Sequence, residues 1–187
     1  MELVKTKLDG VYIVEPKVYG DNRGWFMETY SEKAFKDAGI DVTFVQDNHS
    51  YSAQKGVLRG LHFQLNPMSQ AKLLRVLRGT LLDVVVDIRK GSPTYGQWIS
   101  VELSADNKKE IFMPRGMAHG FVTLTDDVEV HYKVDNLYAP KLESGIIYND
   151  PDLKVDWGTD KVILSAKDTV LPRFKECVAD FRYGEDK

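Results

Sequence analysis

The chain has 187 residues, of which 43% are hydrophobic and 11% aromatic, enough for one well-cored domain and too few for two large ones. A formal net charge of -3 gives no electrostatic reason to expect nucleic acid or an acidic membrane as a partner, so any anionic ligand has to be held by locally placed Arg and Lys. The opening MELVKTKLDGVYIVEPK lacks the apolar core of a signal peptide and no stretch approaches the length of a membrane span, which predicts a cytoplasmic protein. Taken in chain order, the predicted elements are nearly all strands. VYIVEPKVY is followed by one convincing helix, with Ser31 as N-cap, EKAFKDA as body and Gly39 as stop. Then come TFVQDNHSYS, GVLRGLHFQ, LLRVLRG, TLLDVVVDI, QWISVELS, EIFMPRG, FVTLTDD, VEVHYKV and SGIIYND. Short strands at close spacing, separated by Gly, Pro, Asn and Asp, predict an all-β sandwich or barrel with a few short peripheral helices, not alternating βαβ units. Arg78-Gly79 and Asp106-Asn107 read as hairpin turns. The tail CVADFRYGEDK, 177–187, reads as an appended helix or a loose end, and Cys177 within it, the single cysteine, cannot form an internal disulfide.

Candidate chemistry starts from the four histidines, His49, His62, His119 and His131. A lone histidine in a strand more often serves structure than catalysis. The company of two of them changes the odds. PRGMAH, residues 114–119, has the form Pro-x-Gly-x-x-His and resembles the second motif of the cupin superfamily of small β-barrels. The first motif of metal-binding cupins would fall at His62-Phe63-Gln64, where glutamine replaces the second histidine, and Met68 and Ser69 stand near the expected glutamate. Two imidazoles and an amide make a poor site for zinc, iron or manganese, which predicts a cupin-like barrel that has lost its metal.

RGLHFQ, 59–64, then poses a question, because Arg59 and His62 interrupt an apolar strand and by simple alternation would point to opposite faces. Gly60 between them permits a bulge that turns both toward one cavity. Lys72 in QAKLLRV is a second cation in an apolar strand, read equally well as an anion partner or as a lysine snorkelling at a strand end. An Asp reaching His62 would complete a base dyad, and LSAKD, 164–168, supplies Asp168; Tyr132 of HYKVDN would serve as acid on the other side of a substrate. Singly, a strand tyrosine is usually packing and an aspartate before TVLP a turn residue.

Several separate motifs in order make the whole specific. DNRGWFMETY, FVQDNHS, GVLRGLHFQ, QAKLLRVLRGTLLDVVVDIRKGSPTYG, FMPRGMAHGF, YKVDNLYAP, GIIYNDP and LSAKD strongly resemble the thymidine-diphosphate-4-dehydrorhamnose 3,5-epimerase family over nearly the whole chain. The resemblance implies a single-domain, cytoplasmic homodimer of jelly-roll barrels, without metal or organic cofactor, acting on thymidine-diphosphate-4-keto-6-deoxyglucose in deoxysugar and polysaccharide synthesis. It implies His62 as base supported by Asp168, Tyr132 as acid, and Lys72 at the enolate oxygen. Arg23, Glu28, Gln46, Asn48, Arg59, His119, Tyr138, Glu143 and Lys167 match positions that bind the nucleotide sugar, with Tyr138 stacking on thymine. In that family the N-terminal segment commonly crosses to the other subunit, which would assign Arg23 and Glu28 to the partner's site. Relatives on the same barrel epimerise one carbon or isomerise the ketone, and other classes are a sugar-binding jelly roll or a metal cupin oxygenase. The oxygenase needs ligands that Gln64 and Met68 do not supply, and a binding module has no use for an opposed base and acid.

Overall fold

The computed structural model describes residues 1–185, and most of the apolar runs in them are extended strands. In chain order these are β1 (Glu2–Lys5), β2 (Tyr12–Glu15), β3 (Val18–Asp21) and β4 (Gly24–Met27), the helix α1 (Glu32–Asp37), then β5 (Gln46–Ser52), β6 (Leu58–Gln64), β7 (Lys72–Arg78), β8 (Thr80–Asp87), β9 (Trp98–Ser104), β10 (Glu110–Met113), β11 (Met117–Thr123), β12 (Val128–Val134) and β13 (Glu143–Gly145). Pro16, which cannot donate to a ladder, divides the run predicted over 11–19 into β2 and β3. The helix is capped as its sequence predicts: the Ser31 hydroxyl accepts from the Ala34 amide at 3.4 Å, and Gly39 leaves the helix at φ +84°. Two single 3-10 turns, Pro140–Leu142 and Asp168–Val170, are the other helical pieces among the described residues.

One sheet runs in the order β1-β2-β10-β7-β12-β5 and the other β13-β6-β11-β8-β9, while β3 and β4 pair only with each other. All pairings between these strands are antiparallel, and two isolated bridges outside them, Val57–Ile163 and Lys90–Arg182, are parallel. Two such sheets face to face make the cupin-like jelly roll that the sequence predicts. Alternation along each strand sorts side chains into three apolar layers. Leu74, Val76, Leu81, Val85, Ile111 and Phe121 fill the space between the sheets. Behind the second sheet, Val84, Val86, Ala118 and Val122 are covered by Ile146, Leu153, Trp157 and Phe181 of the C-terminal segment. Behind the first sheet, Val14, Leu73 and Phe112 are covered by Phe35 of α1 and Ile40.

Three expectations are corrected. Arg78-Gly79 and Asp106-Asn107 are not hairpin turns, because β7 and β10 lie in one sheet and β8 and β9 in the other. They are corners where the chain changes sheet, and the same turn residues serve a corner as well as a hairpin. The tail is neither a helix nor loose up to residue 185. Phe181 and Ala179 are buried, the Lys90 amide donates to the Phe181 carbonyl at 3.0 Å, and the Tyr183 amide donates to the Lys90 carbonyl at 3.0 Å. Its last two residues, 186 and 187, lie outside the described residues.

Candidate active site

RGLHFQ is resolved by one extra residue in β6. His62 stands opposite His119 of β11, and Arg59 stands opposite Phe121, so three steps on β6 match two on β11. Gly60 allows this, with φ +128° and its Cα packed so closely on β11 that a Cβ would lie 2.6 Å from the Gly120 Cα. Leu58, Leu61 and Phe63 then face the outer core layer, while Arg59 and His62 line a cavity of about 490 Å³ between the sheets. Lys72 of β7, His119 of β11 and Tyr132 of β12 line it too, with Lys167 and Asp168 closing one side. An adjoining lobe of about 310 Å³ shares His62, Lys72 and Tyr132, and adds Gln46, Asn48, Tyr138 and Glu143.

The chemistry of the inner lobe is set by two hydrogen-bonded pairs. His62 Nε2 lies 2.6 Å from Asp168 Oδ1, and the other oxygen of that buried carboxylate accepts from Ser165 Oγ at 2.8 Å. A carboxylate only accepts, so Nε2 carries the proton and the free lone pair rests on Nδ1. Burial pushes the His62 pKa below its ordinary value and Asp168 pulls the other way, with Lys72 and Lys167 adding to the lowering. A neutral imidazole at neutral pH is the state a base needs. The second pair is His119 Nε2 with Asp83 Oδ2 at 2.8 Å. Burial lowers Lys72 to about 8, opposed by the charges of Asp83 and Glu143. Burial raises the Tyr132 hydroxyl above its ordinary value, partly offset by Arg59, so it stays a proton donor.

The outer lobe is braced by hydrogen bonds around Glu143, Tyr138 and Gln64. Burial would raise the Glu143 carboxyl, but hydrogen bonds from Lys167 and Tyr138 outweigh it and the net shift is downward. Tyr138 Oη donates to Glu143 Oε2 at 2.8 Å, while the ring itself is exposed. The loop carrying it is pinned twice: Gln46 Oε1 accepts from the Tyr138 amide at 3.2 Å, and Gln64 Oε1 accepts from the Ala139 amide at 2.7 Å. Gln64 also donates to the Met68 carbonyl at 2.6 Å and the Leu137 carbonyl at 3.2 Å. The residue standing where a metal-binding cupin has histidine is therefore committed to holding backbone. Among the described residues no group of three or more His, Cys, Asp and Glu could hold a metal ion.

Arg23 and Glu28 are not brought to this cavity. Arg23 sits at the tip of the β3–β4 ribbon, exposed and paired with Asp21, and Glu28 is exposed just past its end. Among the described residues the ribbon pairs with no other strand, so no strand pairing folds these two side chains back onto the barrel. Sequence reasoning passed over Asp83 and Ser165. The signal for Asp83 was the same as for Lys72, a charge inside the apolar strand TLLDVVVD; Ser165, polar within LSAKD, left none.

A jelly-roll barrel with an imidazole, a phenol and an ammonium around its lumen belongs to the cupin-like acid–base enzymes. Comparison with known proteins narrows this. A family described as dTDP-4-dehydrorhamnose 3,5-epimerase matches residues 5–176. The dTDP-4-dehydrorhamnose 3,5-epimerase of Methanothermobacter thermautotrophicus is 52% identical over 168 residues, covering 88% of this chain and 90% of that protein. That of Shigella flexneri is 50% identical over 169 residues, covering 90% and 93%. The crystal structure of dTDP-6-deoxy-D-glucose-3,5-epimerase from Legionella pneumophila, in complex with dTDP-4-keto-L-rhamnose, superposes with a TM-score of 0.89 at 45% identity, covering 94% of this chain and 93% of that one. The chain belongs to the dTDP-4-dehydrorhamnose 3,5-epimerase family.

Proposed function

We propose that this chain is an isomerase that converts dTDP-4-dehydro-6-deoxy-D-glucose to dTDP-4-dehydro-L-rhamnose by inverting C3 and C5. Family membership supports the reaction, and the observation that carries the assignment of roles is the His62–Asp168 pair sharing one lumen with Lys72 and Tyr132. The protons at C3 and C5 flank the C4 ketone. His62 Nδ1 takes one of them, the bonding pair moves into the ring, and the negative charge collects on the C4 oxygen. The Lys72 ammonium stabilises that charge as it develops. Tyr132 then delivers a proton to the opposite face of the carbon, and solvent exchange returns His62 and Tyr132 to their starting states. Asp168 stabilises the imidazolium formed in the first step.

Arg59, Lys167 and His119 suit the diphosphate and sugar, arginine's fork matching phosphate oxygens in pairs. The exposed Tyr138 ring offers the thymine a stacking face, held by Glu143, with Gln46 and Asn48 beside it. The reading includes one domain, a homodimer in which Arg23 and Glu28 of the β3–β4 ribbon reach the partner's site, a cytoplasmic setting, no cofactor, and a product destined for polysaccharide. The exposed aromatic side chains Tyr19, Trp25 and Phe26 on that ribbon favour a protein partner. No helix of the described residues is long and apolar enough to cross a membrane. The test is deuterium entry into the 4-keto substrate in heavy water, followed by mass spectrometry and proton NMR. Incorporation at both C3 and C5 with the 4-keto-rhamnose product is expected. One deuterium would make the chain a single-site epimerase, and none would refute the reading.

A further inference from the structure

Asp83 is the acid that the reaction leaves unused. It sits in the middle of β8 with no exposed surface, between Leu81 and Val85 on the face that points into the barrel. A buried carboxylate is costly unless hydrogen bonds and counter-charges hold it. Its Oδ2 is bonded to His119, yet Oδ1 has no hydrogen-bond partner among the described residues. The carboxylate is thus held by one hydrogen bond, to a histidine that lines the same cavity as Lys72. Lys72 is the cation it acts on, since Asp83 is the largest influence that opposes the effect of burial on that ammonium.

Of the other groups around Lys72, Glu143 acts in the same sense as Asp83 but less strongly. From β6 come His62 and Arg59, from β12 Tyr132, from β11 His119 and from the C-terminal segment Lys167, none of them an anion in its working state. Of the remaining acids, Asp168 is committed to His62 and Ser165, and Glu143 to Lys167 and Tyr138. Of these three acids, Asp83 alone keeps an oxygen that no donor among the described residues has claimed.

We propose that Asp83 is a positioning residue of the epimerisation: it holds His119 through Nε2 and sets a negative charge behind that histidine, so that Lys72 in the same cavity meets the C4 oxygen of the enolate as an ammonium. The inference rests on the function proposed above. Without Asp83, burial of Lys72 would be opposed by Glu143 alone of the two, the lysine would titrate lower, and the enolate would lose its cation earlier as pH rises. His119, released from Asp83, would no longer present Nδ1 to the sugar in one fixed orientation.

The variant to make is Asp83→Asn, which keeps volume and removes charge. Nitrogen-15 NMR of labelled lysine is expected to show Lys72 titrating lower than in the parent by roughly one pH unit or more, the size of shift a close opposite charge produces. The alkaline limb of deuterium exchange into the substrate is expected to move to lower pH by the same interval. A folded variant whose Lys72 titration and alkaline limb match the parent's would overturn the proposal, since a purely structural aspartate would move neither. If the variant does not fold, the parent decides by nitrogen-15 NMR of its histidines. His119 protonated at Nε2 supports the proposal, and a bare Nε2 sinks it. A parent that exchanges no substrate proton refutes the proposed function instead, and the lysine titration and the histidine tautomer, which need no substrate, still judge Asp83.

Discussion

Replacing Asp168 by asparagine probes the base directly. The substitution preserves shape, and the new side-chain amide could still accept from His62 through its oxygen while the Ser165 hydroxyl rotates to accept from its nitrogen, so the fold should survive. What disappears is the charge 2.6 Å from His62 Nε2, inside a site where the carboxylate is only 3% exposed. A hydrogen bond to a charged group contributes about 1.5–3 kcal/mol, and each ~1.36 kcal/mol is tenfold in rate. Asp168→Asn should therefore lower kcat/KM by roughly 10- to 150-fold. The pH profile carries a second sign. Burial already pushes His62 below its ordinary pKa, and Asp168 is the main influence holding it up. Removing Asp168 lets that pKa fall further, and because the base works unprotonated, the acid limb should move to lower pH while the plateau drops. Rates of deuterium entry at C3 and C5, followed by NMR between about pH 5 and 9, measure both. A plateau equal to the parent's, or an acid limb that moves upward, would refute the dyad.

Tyr132→Phe should still exchange a substrate proton with solvent through His62 yet fail to complete inversion; normal product formation would remove Tyr132 from the reaction. Lys72→Met should lower kcat by about 10²–10³-fold, the usual loss for one group facing a developing oxyanion, with thymidine diphosphate affinity measured by calorimetry little changed. Gly60→Ala forces a Cβ to 2.8 Å from the His119 carbonyl oxygen as well as onto Gly120, and should cost at least about 2 kcal/mol in denaturant unfolding along with most activity. Glu110 is buried with Oε1 lacking a hydrogen-bond partner among the described residues, and burial pushes its carboxyl up to about 8 against the pull of Arg75 and Lys133. A folded pKa raised above the unfolded 4.5 means stability present at low pH and lost as pH rises toward about 8. Glu110→Gln should flatten that decline, by on the order of a few kcal/mol at full ionisation, in unfolding curves taken across that range.

The strands, the all-β class, the helix at Ser31 and most of the site could be read from the chain itself, because period-two alternation, capping and glycine chemistry are local. His62, Lys72 and Tyr132 stood out as polar groups in apolar strands, and the ordered motifs tied them to one family. Tertiary structure alone decided the rest. Whether Arg78-Gly79 closes a hairpin or turns a corner depends on which sheet receives β8, and that is a matter of long-range pairing. The joining of Asp168 to His62 spans more than a hundred residues, so spacing could suggest it but only packing could place it. The bulge that turns Arg59 and His62 to one side needed Gly120 on the neighbouring strand as well as Gly60. Asp83 shows the limit most clearly: its charge was visible in TLLDVVVD, but its partner His119, its unclaimed oxygen and its effect on Lys72 arise only when three strands from two sheets enclose one cavity.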